Sequence, residues 1–501
     1  MDAMKEEIDA IERNDTWSLI SLPKGQKSIG VKWVYKLKKN VEGGVNKFKA
    51  RLVVKGYKQK QGIDYEKVFA PIAKFDIIRL IFFIAAMNRW QIHQLDVKSA
   101  FLNGVLEEEV YVDQPEDQPE GFIVKGKEHM MYRLKKALYG LKQAPRAWNL
   151  CIDKHFGEEG FTKCPYEHGV YMKIYLNDNK LIICLYVDDL LITCDDEQMI
   201  VDFKSTIFRR FDMTDVGLMS LFLGIEVHQK DDGIWICQKR YAKELLEKFR
   251  MNHCNSVSTS MQTGVHFTKE GEGKLVDSTL YKSLIESLRY LTVTRPDIMY
   301  SVAILSRFME NPRESHWLAA KRILRYISGT FEFGLHYQCS GDMRLLGYCD
   351  SDWANDHEER KSTSGYVFYV GSTAFTWCTH KQKVVALSTC EAEYIAAAAA
   401  ACEAIWLKNL LKEFFRKIDE ATIIYVDNKS AIALAKNPVQ HGRSKHIDVR
   451  YHFIRDAVLM GYISIEHCST EDQVADLFTK ALSTPRFLKL LKMLGMKKVL
   501  V

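Results

Sequence analysis

Apolar and polar positions fall into stretches of different period along the 501 residues. Near the start, "IGVKWVYKLKKN" and "VNKFKARLVVKGYKQ" alternate apolar with basic positions around "VEGG", which predicts a hairpin turning at Gly43 and Gly44. "FDIIRLIFFIAAMNRW" has the spacing and length of a helix, and "QIHQLDVKSAFLNG" reads as a strand ending at Asp96, then a helix or turn. "MYRLKKALYGLKQAPRAWN" predicts a strand, a glycine-marked turn and a helix beginning near Pro145, because proline suits a first helical turn. In "LIICLYVDDLLITC" two apolar runs flank adjacent aspartates, the pattern of a strand, a turn and a strand.

Helix and strand alternate from Val201 to about His253, and the Ser/Thr/Gly-rich stretch 255–273 reads as a linker. Helical patterns follow in "YKSLIESLRYLTVTRPDIMYSVAILSRFME" and "HWLAAKRILRYISGT". From Met343 the order is three strands ("RLLGYCDSD", "TSGYVFYVG", "TAFTWCTH"), an alanine-rich helix, the strand "ATIIYVDN" and closing helices. That order predicts a mixed α/β domain separate from the first. "QPEDQPE" carries two prolines among acidic and amide residues and reads as a surface loop.

Composition narrows the class. With 47% hydrophobic and 27% charged residues, the length allows two to four domains of about 100–200 residues. A net charge of +6 permits a polyanionic partner without requiring one. Twelve cysteines without a C-x-x-C pair point away from a zinc cluster or thioredoxin motif and suit a reducing compartment. "MDAMKEEIDAIERND" is charged and helical, unlike a signal peptide, and no apolar run approaches the roughly 18 residues of a bilayer span; "YIAAAAAACEAIWL", broken by Glu403, reads as a buried helix. The expectation is an intracellular, soluble, multidomain protein.

Asp188 and Asp189 sit where an apolar hairpin reverses. A carboxylate among apolar strands is costly unless it is paired, although aspartates also serve as turn residues. A hard divalent cation would neutralise the pair, since Mg²⁺ takes oxygen ligands. Asp96, 92 residues before Asp188, ends another apolar-flanked strand. Two such strand ends brought together suit a pair of metal ions about 3.5–4 Å apart, the arrangement used for in-line phosphoryl displacement.

The ordered set "KARLVVKG", "GIDYEKVFAPIAK", "QLDVKSAFLNG", "LYGLKQAPRAW", "YVDD", "TRPDIMYSVAILSRFM", "AAKRILRYISGT", "SGYVFYVG" and "SKHIDVRYHFIRD" spans nearly the whole chain. It resembles the reverse transcriptase and ribonuclease H portion of copia-type LTR retrotransposon Pol polyproteins. The resemblance implies an α/β and α+β multidomain fold. A right-hand polymerase of fingers, palm and thumb occupies 1–254, and a linker and helical connection region 255–342. An RNase H-like mixed α/β domain fills 343–484, with a C-terminal tail at 485–501.

The resemblance also implies roles. Asp96, Asp188 and Asp189 match the metal-binding palm aspartates. Arg51 matches the fingers arginine on the incoming triphosphate, with Lys49 or Lys47 assisting, and Phe101 the aromatic gate under the nucleotide sugar. Tyr139 and Gly140 belong to the nucleotide-and-template loop, Tyr139 standing where retroviral enzymes carry glutamine, and "LGIEV" resembles the hairpin that grips the primer end. For the nuclease, Asp350, Glu393, Asp427 and Asp476, the last starting or lying in the final helix, match four metal-binding carboxylates. Glu391 competes with Glu393, and Asp352 with Asp350, the latter two because positions two apart on a strand share a face. His446 is either a mobile product-release histidine or structural.

The implied function is RNA- and DNA-directed DNA synthesis with removal of the RNA strand, using two Mg²⁺ per active site, or Mn²⁺. Its partners are an RNA template, a DNA primer, an RNA–DNA hybrid and deoxynucleoside triphosphates, without a membrane, with integrase or capsid supplied elsewhere. The place is a cytoplasmic virus-like particle or the nucleus, not the secreted space. The rival is a catalytically silent relic or a host-recruited nucleic-acid-binding protein, against which the complete carboxylate set argues. No Asp-Ser/Thr-Gly protease motif or His/Cys zinc cluster occurs, so a fragment or truncated element, unable to transpose unaided, is expected.

Overall fold

The computed structural model describes residues 1–39, 45–115, 123–124, 126–176, 178–339, 344–415, 420–436 and 448–499. The expected turn at Gly43 and Gly44, most of the "QPEDQPE" loop, the Lys47 side chain and His446 lie outside the described residues. The chain forms two compact units, residues 1–73 with 92–218, and 74–91 with 219–501.

The first unit is built on a six-stranded antiparallel sheet ordered Met213–Leu218, Ile92–Val97, Asp189–Cys194, Lys180–Tyr186, Val170–Ile174, Thr162–Lys163. Leu95, Val97, Leu190 and Ile192 join Trp148 and Phe156 of helix Ala144–Glu158 and Phe203 of helix Glu197–Arg210 in one core. A second core gathers the basic hairpin (Val31–Lys39 with Val45–Val54), the helix Asp2–Arg13 and the three-stranded sheet Trp17–Ile20, Met131–Lys136, Val105–Val112.

The helix Phe75–Asn88 belongs to the second unit, so the units are not successive stretches of chain. Every residue from Ile77 to Ala86 is buried, as expected of a helix apolar on all sides. Its Arg79 donates to the Phe375 and Val293 carbonyls at 2.6 and 2.9 Å and lies 4.0 Å over the Trp377 ring.

The second unit carries two five-stranded sheets. One is antiparallel, in the order Leu221–Phe222, Ile225–Lys230, Gly233–Cys237, Phe333–Gln338, Met496–Lys498. The expected tail is therefore helix Thr484–Met493, with Phe487, Leu490 and Leu491 buried, and an edge strand of this sheet. The expected linker is also packed, with Thr259, Ser260 and Met261 buried and the Ser260 hydroxyl on the Asp297 carbonyl at 3.3 Å.

The other sheet runs Thr373–Lys381, Thr363–Val370, Leu345–Ser351, Thr422–Val426, Ile463–His467. Its first three strands pair antiparallel and the last two join parallel, the mixed α/β pattern expected. Helix Thr389–Phe414 connects the first strand of this order, Thr373–Lys381, to the fourth, Thr422–Val426, with most of its alanines buried. By length and apolarity it reaches a bilayer span, contrary to expectation, because alanine and cysteine extend the apolar run; 67% of its most apolar window is buried inside the fold.

Candidate active sites

In the first unit Asp189 pairs directly opposite Asp96, and opposite Tyr186 on its other side, so only Val187 and Asp188 form the turn. Val187 holds φ +58°, a left-handed conformation that strains a β-branched residue. Two contacts over-determine it: Trp148 Nε1 donates to the Val187 carbonyl at 2.6 Å, and Val97 N to the Asp188 carbonyl at 2.8 Å. Such strain, of order 1–3 kcal/mol, persists only where the surroundings enforce it. The three aspartates are part-buried at one strand junction, and Gln94 Nε2 donates to Asp189 Oδ1 at 2.9 Å.

Basic and aromatic side chains line the same junction. Arg51 lies 4.3 Å over the Tyr139 ring, and the Phe101 ring is 5.1 Å from Tyr139. Burial pushes the Tyr139 hydroxyl up to about 12, opposed by Arg51 and reinforced by the Glu7, Asp188 and Asp96 carboxylates. Arg51 Nε is buried with no hydrogen-bond partner. Lys49 and Arg51 alternate onto one face of their strand, where buried Glu7 accepts from Leu52 N at 3.4 Å; burial raises the Glu7 carboxyl while Arg51 and Lys49 oppose the rise. Gly140 adopts φ +92°, and a Cβ there would stand 2.2 Å from the Val54 carbonyl oxygen, so only glycine lets this loop meet the hairpin.

The second unit draws carboxylates closer still. Asp350 on strand Leu345–Ser351, Glu393 on helix Thr389–Phe414 and Asp427, just beyond strand Thr422–Val426, place an oxygen each within 4.8 Å of one another. Burial and the Asp350 and Asp427 charges hold the Glu393 carboxyl well above its ordinary value, and its Oε2 is buried without a hydrogen-bond partner. Burial and Asp350 also raise Asp427.

Asp476 lies in the short 3-10 turn Val474–Phe478 rather than in the final helix, because Gln473 caps that turn and holds the Cys349 carbonyl at 3.0 Å. It is fully buried, and burial with the neighbouring Asp350 raises its carboxyl against the pull of Lys480 and Arg486. Lys480 Nζ stands 2.8 Å from Asp476 Oδ1 and 3.2 Å from Asp350 Oδ2; Arg486 holds Asp476 Oδ2, and the Thr479 hydroxyl donates to Asp350 Oδ2. Burial alone would lower the Lys480 ammonium, but the two carboxylates hold it above its usual range.

The competitors are occupied elsewhere. Asp352 Oδ1 accepts from Thr363 N at 2.5 Å, and Glu391 Oε2 accepts from Leu387 N at 2.9 Å. Among the described residues one further trio, Glu226, His228 and Cys237, brings potential ligand atoms within 4.8 Å. Glu226 there accepts from Arg240 N at the start of helix Lys239–Lys248, a positive helix end that disfavours a cation. "LGIEV" does form a hairpin, turning at Leu223 and Gly224, both at positive φ.

Sequence reading passed over Gln94, Glu7, Thr479, Lys480 and Arg486. Gln94 was findable, since it precedes Asp96 by two on one strand. Lys480 follows Asp476 by four, a spacing that signals a contact only once the backbone is known to turn there.

Residues 14–263 match the family model described as reverse transcriptase (RNA-dependent DNA polymerase). The Retrovirus-related Pol polyprotein from transposon TNT 1-94 of Nicotiana tabacum is 42% identical over 99% of this chain, which spans only 38% of that polyprotein's length. A transposon Ty5-1 protein of Saccharomyces cerevisiae is 33% identical over 62% of this chain and all of its own. Among solved structures, LC11-RNase H1 in complex with an RNA/DNA hybrid aligns with 27% of this chain and 94% of its own, at 12% identity and a TM-score of 0.22. By family model and by the extent of these sequence matches, the chain belongs to the reverse transcriptases of copia-type retrotransposon Pol polyproteins.

Proposed function

We propose that the first unit carries an RNA- and DNA-directed DNA polymerase site and that the mixed sheet of the second carries a ribonuclease H site. The observation that carries the polymerase reading is the pairing of Asp96 against Asp189, with Asp188 in the strained turn between strands and Arg51, Tyr139 and Phe101 alongside. In this reading Arg51, whose Nε lacks a partner, receives the triphosphate of an incoming deoxynucleotide. Phe101 bounds the sugar and excludes a ribose 2′-hydroxyl, and Lys49 adds positive charge. The oxygen-only donors Asp96, Asp188 and Asp189 suit hard cations. Bound there, Mg²⁺ or Mn²⁺ would supply Lewis acidity to activate the primer 3′-hydroxyl and neutralise the transferring phosphate.

The nuclease reading rests on three buried carboxylates, Asp350, Glu393 and Asp476, and the part-buried Asp427. Asp350, Glu393 and Asp427 repel one another without a cation, and the orphaned Glu393 Oε2 fits a metal donor. These residues with Asp476 would hold the ions at the scissile phosphate of an RNA–DNA hybrid. The corresponding setting is intracellular, in a particle or nucleus, with integrase and capsid provided separately.

Primer extension on an RNA template with Mg²⁺ tests this, beside an Asp188→Asn control. Extension by the wild type and none by the control is expected. Template–primer binding without extension under Mg²⁺ or Mn²⁺ would transfer the chain to the silent, nucleic-acid-binding alternative.

A further inference from the structure

The four nuclease carboxylates are not equivalent. Three of them, Asp350, Glu393 and Asp427, converge within 4.8 Å and leave room for a cation. The fourth, Asp476, is joined to Asp350 by the Lys480 ammonium, 2.8 Å from one and 3.2 Å from the other. The backbone builds this in, because Lys480 N donates to the Asp476 carbonyl at 3.1 Å and one turn returns the side chain over that carboxylate. Gly365 lets the segment sit close, since a Cβ there would lie 2.5 Å from Phe478 Cβ. Arg486 fixes the outer oxygen of Asp476. The Lys480 side chain keeps 34% of its surface exposed, so its head has a route to water.

We infer that Lys480 is a positioning residue whose ammonium fills the second cation position, between Asp350 and Asp476. The inference rests on the nuclease reading above. One divalent ion enters the Asp350, Glu393 and Asp427 cradle without displacing a side-chain cation. A second, drawn to the oxygens Asp350 and Asp476 share, binds only when the ammonium swings out, because the two cations would compete for the same carboxylates. Lys480 thus keeps the buried acids together in the absence of metal and makes loading sequential. The second ion then becomes the weak one, the one whose binding responds to the substrate phosphate.

The test counts bound Mn²⁺ by electron paramagnetic resonance on the full chain carrying Asp188→Asn, which disables the polymerase site. Without that lysine the second ion should bind at least tenfold more tightly while the first changes less than about threefold. Lys480→Gln and Lys480→Met, the latter keeping the aliphatic stem, should both show this, and circular dichroism identifies whichever is folded. Lys480→Arg should restore weak second-ion binding. Lys489→Gln, which removes an exposed charge paired with Asp472 at 2.8 Å, controls for a general change in field and should shift neither ion more than twofold. Unchanged or weaker second-ion binding in the folded Lys480 variants would overturn the inference. If Asp350→Asn leaves Mn²⁺ binding intact, it is the nuclease reading that fails.

Discussion

Replacing Asp352 by asparagine separates two carboxylates that the sequence leaves equivalent. Asp352 Oδ1 accepts from Thr363 N, a bond asparagine retains, while Oδ2 is buried with no partner. Burial pushes this carboxyl up to about 6, against the Thr363 hydrogen bond and Arg307, with Asp350 adding to the rise. A folded-state value above the unfolded one means that the native protein binds the proton first. Stability therefore falls as pH rises from about 4 to about 6, and the loss is complete above that. A rise of about two units corresponds to at most about 3 kcal/mol, reduced by the residual exposure of the side chain. The new amide inherits an unpaired buried position costing about 1–3 kcal/mol, but that cost does not vary with pH. The diagnostic is accordingly the difference in Tm between variant and wild type, which should move in the variant's favour by several degrees between pH 4 and pH 7. Thermal melts across that range, with hybrid cleavage at pH 7.5, provide the assay. A difference flat in pH would refute the buried, unpaired carboxyl. A loss of cleavage as deep as that of Asp350→Asn would refute the choice of Asp350 over Asp352.

Gly140→Ala should cost about 3 kcal/mol or more and abolish primer extension, because its Cβ meets the Val54 carbonyl at 2.2 Å with φ at +92°; thermal melts and extension assays check this. Arg51→Lys should raise KM for deoxynucleotides about tenfold in steady-state kinetics with primer–template affinity unchanged, since an ammonium can neither stack on Tyr139 nor present a fork. Asp297→Ala should destabilise by about 3–5 kcal/mol in urea titration, leaving Arg295, 2% exposed, without its carboxylate. Asp212→Ala, which breaks the exposed pair with Lys98, should cost less than about 1 kcal/mol in the same titration.

What could be read from sequence was whatever local pattern controls. The aspartate turn follows from apolar runs flanking two acids, and Asp96 at a second strand end could be read as their neighbour, but the register that sets it opposite Asp189 emerges only from the sheet. The allegiance of helix Phe75–Asn88 could not be read, because a helix apolar on every side fits any core and only tertiary packing selects one. The last residues looked like a tail because a three-residue strand, Met496–Lys498, gains meaning only beside Phe333–Gln338, more than 150 residues earlier. Asp350 and Asp352 separated only when the strand ended at Ser351 and Asp352 turned to cap Thr363. Lys480 stayed hidden for the opposite reason, since its partner Asp350 lies 130 residues away.

The two carboxylate clusters solve the same electrostatic problem in opposite ways. In the first unit the aspartates are only part-buried, the strain sits in the Val187 backbone, and Arg51 waits to one side with an unpartnered nitrogen. Such a site tolerates its own charge because water reaches it, and in the proposed polymerase reading it is completed when a nucleotide brings phosphate and cation together. In the second unit Asp350 and Asp476 are wholly buried and Glu393 nearly so. Buried, unpaired carboxylates would cost several kcal/mol each, so the fold must supply cations of its own before any ion arrives. Lys480 and Arg486 do that for one half of the cluster, and protonation, favoured by the raised Glu393 and Asp427 carboxyls, does it for the other. A cation entering the protonated half must release protons, and one entering the Lys480 half must displace an ammonium. Metal uptake by the buried cluster of the second unit should therefore weaken as pH falls, whereas in the proposed reading the open cluster of the first unit depends chiefly on its nucleotide.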